Sequence, residues 1–352
     1  MDLPVMPPVD PMLAKIAPAI PPGLRYEPKW DGFRAVVFRD GDQVEIGSRN
    51  TKPMQRYFPE VVEAVLAELP PRVVVDGEIV VPSADGRTLD FEALLQRVHP
   101  AQSRVRLLAE QTPARLVLFD VLALGDDDLR GRPFAERRAL LETLLAGPAG
   151  RVSITPQTDD LATATRWFEQ FEGAGLDGVV AKDPASPYQG GKRTMTKIKH
   201  ERTADCVVAG YRTHASGSDA VGSLLLGLYR DDGVLAAVGV AGAFPMAVRK
   251  AMVRELAPLV TTLESHPWGA GATGRTPREA EHSRWAAGRD LSFVPLRPEL
   301  VVEVAYDHLE GDRFRHTTQL RRWRPDRDPD SCTYAQLVEA VSYDLADVLA
   351  TR

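Results

Sequence analysis

The sequence is poor in the features that mark exported or membrane-embedded proteins. Its 352 residues include only two cysteines, Cys206 and Cys332, which lie far apart and outside any CxxC pair. Neither a disulfide framework nor a zinc site is therefore indicated. No apolar run approaches the roughly 18 residues of a membrane span, and the proline-rich N-terminus has no apolar signal-peptide core. We expect a soluble protein of the reducing cytoplasm, with no membrane partner.

A surplus of positive charge is also lacking, because the formal net charge is −6. Such a total counts against a nucleic-acid partner. Two basic stretches point the other way, since a phosphate track needs only a local excess of cations. The alternative for such runs is a solvated face or an ion-pair network. The two stretches contain Arg313, Arg315, His316, Arg321, Arg322, Arg324 and Arg327, and Lys192, Arg193, Lys197, Lys199 and Arg202.

The most informative segment is Lys29-Trp30-Asp31-Gly32, in which a lysine stands beside an Asp-Gly turn. An ordinary lysine is protonated and cannot attack, so a nucleophilic role requires positive neighbours or a metal, together with a polarised phosphate as target. Taken alone, the four residues are more typical of a solvated surface lysine before a β-turn. The rest of the chain must supply the other groups.

Several apolar, strand-like segments contain charged residues, which is costly unless those residues bind something. Lys197 and Lys199 are placed on one face of a strand by its period of two. For Asp120 alone, a structural role is the favoured interpretation. The segments are Val73 to Val81 with Asp76 and Glu78, Leu116 to Leu122 with Phe119 and Asp120, Asp177 to Lys182, and Lys197 to Lys199.

This series resembles the covalent nucleotidyltransferase superfamily, most closely its ATP-dependent DNA ligases and, among them, the small DNA ligase C type of mycobacteria and other actinobacteria. The resemblance covers most of the chain. In that family the KxDG lysine attacks the α-phosphate of ATP, AMP then passes to the 5′-phosphate of a nick, and the 3′-OH expels it. Lys29 matches this lysine.

The resemblance also implies roles for other residues. Arg34 matches the arginine after KxDG, and Ser48-Arg49 matches a pair that contacts the nick phosphate. Glu78 would bind the AMP ribose, Phe119 would stack on adenine, and Glu27 would read the base. Lys197 and Lys199 would hold the α-phosphate, and Lys182 belongs to the motif usually written EGxxxK. Arg324, Asp326 and Arg327 match the last motif, which contacts the leaving pyrophosphate.

Two positions depart from the family pattern. Asp177 is one methylene shorter than the usual glutamate of EGxxxK, and Met195 stands where many relatives have tryptophan. Neither change removes a required charge.

The residues themselves favour the same chemistry, because negative charge accumulates around phosphorus during AMP transfer and must be balanced by a metal and fixed cations. Asp76, Glu78 and Asp177 are the candidate ligands for Mg²⁺ or Mn²⁺. A carboxylate at Glu27 would accept from the exocyclic amine of adenine, which favours ATP over GTP. The alternative for Glu27 is an exposed charge beside Pro28.

The resemblance implies an α+β architecture, with a nucleotidyltransferase (adenylation) domain over residues 1–201 and a β-barrel OB-fold domain over 202–352. The spacing of the short strands in the second domain itself suggests a small barrel. We interpret residues 264–290 as a surface loop that either closes over DNA or is inert. Helices are predicted at Pro59 to Leu69, Phe134 to Leu145, Thr163 to Ala174 and Met246 to Leu259. Strands of the barrel are predicted at Cys206 to Gly210, Leu224 to Tyr229, Val234 to Val240 and Leu300 to Tyr306.

The sequence therefore predicts an ATP-dependent DNA ligase that acts on nicked duplex DNA, with ribonucleotides at the nick left open. By analogy with the small ligases, we expect a minimal, monomeric repair enzyme of the cytoplasm and nucleoid that works beside a gap-filling polymerase. An RNA ligase, a GTP-dependent capping-type transferase and, less favoured, a non-catalytic OB-fold nucleic-acid-binding protein remain as alternatives.

Overall fold

The computed structural model describes residues 1–145, 150–269, 272–277, 292–307, 309–337 and 344–350, which form two compact units. Unit 1 comprises Met1–His200 together with Ala340–Arg352, and unit 2 comprises Glu201–Glu339. The first boundary lies one residue from the predicted one. The end of the chain, however, belongs to unit 1 and not to the predicted barrel domain.

Unit 1 contains two β-sheets. The smaller sheet has four strands in the order β1-β10-β9-β2. The larger sheet has six strands in the order β4-β3-β5-β6-β7, with β8 paired to β6. The strands are β1 (Leu13–Ile16), β2 (Arg25–Pro28), β3 (Phe33–Asp40), β4 (Gln43–Ser48), β5 (Arg72–Val80), β6 (Arg115–Leu124), β7 (Asp127–Asp128), β8 (Val152–Ile154), β9 (Val179–Lys182) and β10 (Arg193–Ile198).

The larger sheet is buried on both faces, which explains its nearly continuous apolar strands. On β5, Val73 and Val75 face a core cluster that also contains Phe58 of the segment before the first helix. Val74 faces the opposite cluster, which contains Phe38 and residues of the N-terminal segment. Valine suits such positions because its branched side chain packs well on a pleated surface.

The helices of unit 1 confirm the predicted helical segments with small differences at their ends. The predicted segment from Thr163 to Ala174 is a helix from Leu161 to Gln170 followed by a 3-10 helix over Phe171–Ala174. Asp160 fixes its start, because its carboxylate accepts from the backbone N–H groups of Ala162 and Thr163. The helices are α1 (Pro59–Glu68), α2 (Phe91–Gln96), α3 (Gln102–Gln111), α4 (Phe134–Leu144) and α5 (Leu161–Gln170).

A short C-terminal helix returns to unit 1. Leu345 and Val348 are buried in a cluster with Trp30 and Trp167. The backbone N–H of Leu345 donates to Arg87 O at 2.8 Å. This helix, Leu345–Ala350, is numbered α7 because it follows the single α-helix described in unit 2. Its apolar contacts explain why the predicted domain assignment of the C-terminus is wrong.

Unit 2 is a closed barrel with strands in the order β11-β12-β13-β17-β14. Its helix α6 (Met246–Leu256) lies between β13 and β14 in the chain and is extended by a 3-10 helix over Ala257–Leu259. This confirms the predicted barrel and its interposed helix. The strands of the unit are β11 (Arg202–His214), β12 (Gly217–Tyr229), β13 (Leu235–Gly242), β14 (Val294–Tyr306), β15 (Leu309–Glu310), β16 (Arg313–Phe314) and β17 (Thr318–Trp323).

The interpretation of residues 264–290 as a surface loop is wrong for its beginning. His266 and Trp268 are buried, and the Trp268 indole N–H donates to Leu235 O at 2.9 Å. The remainder of this segment lies largely outside the described residues. Among the helices that are described, none has the length and apolar character needed to cross a membrane.

Candidate active site

Lys29 and Asp177 are held opposite each other by the backbone. Strand β2 pairs antiparallel with β9, and the ladder continues past its end. The Lys29 N–H donates to Gly178 O at 2.8 Å, and the Asp177 N–H donates to Lys29 O at 2.9 Å. Gly178 has a φ of +116°, and a Cβ there would lie 2.0 Å from Ile198 O. Only glycine therefore fits after Asp177.

One carboxylate oxygen joins two lysines. Asp177 Oδ2 lies 2.6 Å from Lys29 Nζ and 2.8 Å from Lys199 Nζ. The Asp177 side chain is 5% exposed, whereas the Lys29 side chain is 18% exposed. The candidate nucleophile is thus fixed at its tip by a buried acid and remains accessible from one side.

Two more cations enlarge this cluster. Burial lowers the pKa of Lys197, and the charges of Lys199, Lys29 and Arg49 lower it further, while Asp177 opposes them. Arg49 is exposed in the turn after β4. The predicted phosphate-binding residues therefore share one electrostatic neighbourhood with a surplus of positive charge, as a triphosphate requires.

Glu78 carries a strongly perturbed carboxyl group. It lies opposite Arg34 in the ladder between β3 and β5. Burial raises the pKa of Glu78 from 4.5 to about 7; Asp31 and Asp76 add to the rise, and Arg34 and Lys29 oppose it. An acid poised near neutrality beside a lysine is typical of a functional site.

Asp76 is placed differently from the prediction. Its oxygens accept from Arg34 Nε and Nη2, both at 2.6 Å, and Oδ2 also accepts from the Tyr188 hydroxyl at 2.6 Å. The residue is fully buried. Because both oxygens are engaged by protein donors, Asp76 is corrected from a metal ligand to the buried partner of Arg34.

Glu27 is also buried, at 2% exposure, so the alternative of an exposed charge beside Pro28 is wrong. Its Oε2 lies 2.6 Å from Lys182 Nζ, and its Oε1 accepts from Gln157 Nε2 at 2.9 Å. Arg138 Nη1 lies 3.5 Å from the same Oε1. Glu27 and Lys182, which the sequence predicts to be two independent nucleotide-binding residues, therefore form one buried ion pair.

The Phe119 ring lies beside this pair. The ring centroid is 4.7 Å from Lys182 Nζ and 4.5 Å from Arg34 Cζ. Lys182 Nζ also donates to Phe119 O at 3.3 Å. The neighbouring Asp120 is structural, as expected, because Arg137 donates to both of its oxygens at 2.8 and 2.9 Å inside the core.

The three predicted metal ligands do not come together. Within the described ranges, no group of three or more His, Cys, Asp or Glu side chains could hold a metal ion. Glu78 and Asp177 remain as candidates near Lys29. Mg²⁺ is usually bound by one or two carboxylates together with substrate phosphates. These two residues fit a metal that arrives with a nucleotide.

The last sequence motif forms an ion-pair network within unit 2. Arg324 donates to both oxygens of Asp326 and, through Nη1, to Asp205 at 2.9 and 3.0 Å. Arg327 Nε lies 3.5 Å from Asp205 Oδ2, and Glu303 lies 3.5 Å from Arg324 Nη1. The hydrogen bond from Arg324 lowers the pKa of Asp326 to about 2. Arg324 is therefore held by acids on three segments of the barrel unit.

Comparison with known families decides the identity. Residues 11–199, more than half of the chain, match the family model described as the ATP dependent DNA ligase domain. Residues 217–327 match the ATP dependent DNA ligase C terminal region.

The chain belongs to the ATP-dependent DNA ligases.

The relatives place this ligase in the DNA ligase C type. It is 64% identical to DNA ligase C of Mycobacterium tuberculosis over 99% of both chains. It is 64% identical to DNA ligase C2 of Mycolicibacterium smegmatis over 96% of both chains. A solved structure entitled "DNA binding with a minimal scaffold: Structure-function analysis of Lig E DNA ligases" shares its fold, with a TM-score of 0.52, 16% identity and coverage of 89% of this chain and 98% of the other.

The predicted identity, fold class and enzyme class are thereby confirmed: the ligase has a nucleotidyltransferase domain followed by an OB-fold domain and uses ATP. The RNA-ligase, capping-type and non-catalytic alternatives are not supported. The departure at Met195 has a structural explanation, because this side chain is buried in the cluster that contains Phe38 and Tyr188. It fills the core and offers no stacking surface.

Sequence reasoning missed several residues that hold the site of the ligase in place. Gln157 and Arg138 contact Glu27, and Tyr188 contacts Asp76. Asp205 and Glu303 hold Arg324. Each lies far along the chain from the residue that it contacts, so no local pattern marks it.

Proposed function

We propose that the ligase works through a lysyl-AMP formed on Lys29. The observation that carries this proposal is the bridge from Asp177 Oδ2 to both Lys29 Nζ and Lys199 Nζ. An ammonium group must lose a proton before it attacks. Asp177 is the carboxylate in contact with it and is suited to receive that proton.

In the first step the lone pair of Lys29 Nζ forms a bond to the α-phosphorus of ATP. The bond from that phosphorus to the bridging oxygen of the leaving pyrophosphate breaks. An oxygen of the 5′-phosphate of the nick then bonds to the phosphorus of the lysyl-AMP, and the P–N bond to Lys29 breaks. The 3′-OH finally loses its proton and bonds to the phosphorus of the 5′-phosphate, and the bond from that phosphorus to AMP breaks, which seals the strand and releases AMP. Lys197 and Lys199 would stabilise the charge that accumulates on the α-phosphate. Arg49, being exposed at the edge of the cluster, is suited to a phosphate of the DNA.

The adenosine would lie beside Phe119, with Glu78 near its ribose and Arg34 at the edge of the pocket. A carboxylate has about four lone-pair sites. Glu27 therefore retains acceptor capacity for the exocyclic amine of adenine besides its contacts to Lys182, Gln157 and Arg138. This favours ATP over GTP.

Mg²⁺ or Mn²⁺ would be held by Glu78 and Asp177 together with the phosphates of ATP, and would supply charge neutralisation when bound. In unit 2, Arg324 and Asp326 would contact the leaving pyrophosphate. Nicked duplex DNA, with or without ribonucleotides at the nick, is the proposed acceptor. A monomeric repair enzyme of the bacterial cytoplasm, working beside a gap-filling polymerase, is proposed on analogy with the small ligases.

The test is incubation with α-labelled ATP or GTP, with and without Mg²⁺, followed by a denaturing gel. Wild-type ligase should carry the label from ATP, and Lys29→Ala should carry none. Lys29→Arg should also fail, because a guanidinium stays protonated. Lys250→Ala, at an exposed lysine of α6 paired with Asp219, is the matched control. A labelled adduct on Lys29→Ala would refute the assignment.

A further inference from the structure

A chain of three hydrogen-bonded side chains leads from the N-terminal segment to the nucleotide pocket. The Met12 backbone N–H donates to the Tyr188 hydroxyl oxygen at 3.2 Å, and this hydroxyl donates to Asp76 Oδ2 at 2.6 Å. Asp76 then accepts two hydrogen bonds from Arg34 at 2.6 Å. Arg34 ends the chain with its guanidinium 4.5 Å from the centroid of the Phe119 ring.

The middle of this chain is sealed from solvent. Asp76 is 0% exposed and Tyr188 is 7% exposed. A buried carboxylate is costly unless its lone pairs are satisfied. Arg34 engages both oxygens of the carboxylate. The Tyr188 hydroxyl gives the same Oδ2 a second donor and so ties the carboxylate to the Tyr188 side chain as well as to Arg34.

Tyr188 is suited to this task because it adds a donor without adding a charge. Burial raises the pKa of the Tyr188 hydroxyl well above its usual range, and the charge of Asp76 raises it further. The hydroxyl therefore keeps its proton at the pH values where ligation is measured. A lysine or arginine in its place would put a second cation beside Arg34.

We infer that Tyr188 is a positioning residue for AMP transfer: its hydroxyl fixes Asp76, and Asp76 holds the Arg34 guanidinium against Phe119 at the nucleotide pocket. This inference rests on the proposed role of Arg34 in binding ATP. Tyr188 itself touches no reacting atom. Its effect on the reaction is therefore transmitted entirely through Arg34.

A double-mutant cycle tests this dependence. Single-turnover formation of the lysyl-AMP is measured over a range of ATP concentrations for Tyr188→Phe, Arg34→Ala and the double variant. Tyr188→Phe alone should lower the rate at subsaturating ATP by roughly tenfold, the effect of one lost hydrogen bond to a charged group. In the Arg34→Ala background the same change should alter the rate by less than about twofold.

Tyr26→Phe is the matched control, since Tyr26 is also buried and its hydroxyl donates to Pro21 O at 2.7 Å, away from Arg34. It should leave the rate unchanged at equal thermal stability. If Arg34→Ala does not fold, the cycle is run in Arg34→Lys, which keeps the charge but loses the paired donors.

An equal loss from Tyr188→Phe in both backgrounds would overturn the inference, as would no loss in the wild-type background. A normal rate for Arg34→Ala would also overturn it. None of these outcomes affects the assignment of Lys29, which depends on whether the adduct forms at all.

Discussion

Replacing Glu78 by glutamine should make the adenylation unit more stable at alkaline pH and less active. The pKa of Glu78 rises from 4.5 to about 7 in the folded chain, chiefly through burial. Below pH 4.5 the carboxyl is protonated in both states. Between 4.5 and about 7 the folded state holds the proton more firmly, so the free energy of unfolding falls as the pH rises. Above that range the stabilising contribution of the Glu78 proton to the free energy of unfolding is fully lost.

The magnitude follows from the shift. At about 1.4 kcal/mol for each tenfold change in proton affinity, the rise corresponds to roughly 3 kcal/mol. Glutamine resembles the protonated acid and carries no such cost. Glu78→Gln should therefore match the wild type near pH 4.5 and exceed its stability by roughly 3 kcal/mol at pH 8. Lysyl-AMP formation should fall, because the charge that destabilises the empty site is the one expected to hold the ribose or the metal.

Hydrogen–deuterium exchange, read by mass spectrometry on peptides of β5, reports the opening of unit 1 separately from unit 2. It is measured without ATP or metal at pH 5, 6, 7 and 8, after correction for intrinsic exchange. Glu63→Gln, on the exposed side of α1, controls for the loss of a surface charge. A stability difference between wild type and Glu78→Gln that is the same at pH 5 and pH 8 would refute the argument.

Three further predictions concern other parts of the ligase. Phe119→Ala should weaken ATP binding by roughly 1–3 kcal/mol, measured by titration calorimetry; unchanged affinity with lower stability would make the ring a core residue only. Arg324→Ala and Asp326→Ala should lose adduct formation from ATP but still join a pre-adenylated nick, whereas Lys199→Ala should impair both, because the α-phosphate is present throughout. Equal losses on both substrates for Asp326→Ala would contradict this. Val348→Asp should destabilise unit 1 by at least roughly 2 kcal/mol in thermal unfolding, and Ala346→Asp, on the exposed side of α7, should not.

The periodic elements of the ligase could be predicted from the sequence because their signals are local. The valines of β5 and the apolar spacing of α1 depend on neighbours within a few residues. Strand β17, in contrast, lies inside the arginine-rich stretch and was not predicted, because Arg321 and Arg322 conceal the strand pattern. Charge at the surface of a barrel does not prevent pairing by the backbone.

The sequence predicts which residues belong to the site, but it does not predict which of them contact each other. Asp76 and Glu78 are equivalent in the sequence, both being acids in one apolar strand. In the structure Asp76 has Arg34 and Tyr188 as partners, whereas burial raises the pKa of Glu78 to about 7. Tyr188 lies 112 residues from Asp76 along the chain. Such distant partners decide which acid is structural, and a single sequence does not reveal them.

The return of α7 to unit 1 has a consequence for the order in which the protein is assembled during synthesis. Domains generally fold as they emerge, the N-terminal one first. Here the core around Trp30 lacks Leu345 and Val348 until the segment that follows the barrel has been made. The barrel of unit 2 has its whole sequence available earlier. The adenylation unit, although begun first, is therefore the last to be completed, and a chain interrupted after the barrel would carry Lys29 on an unfinished core.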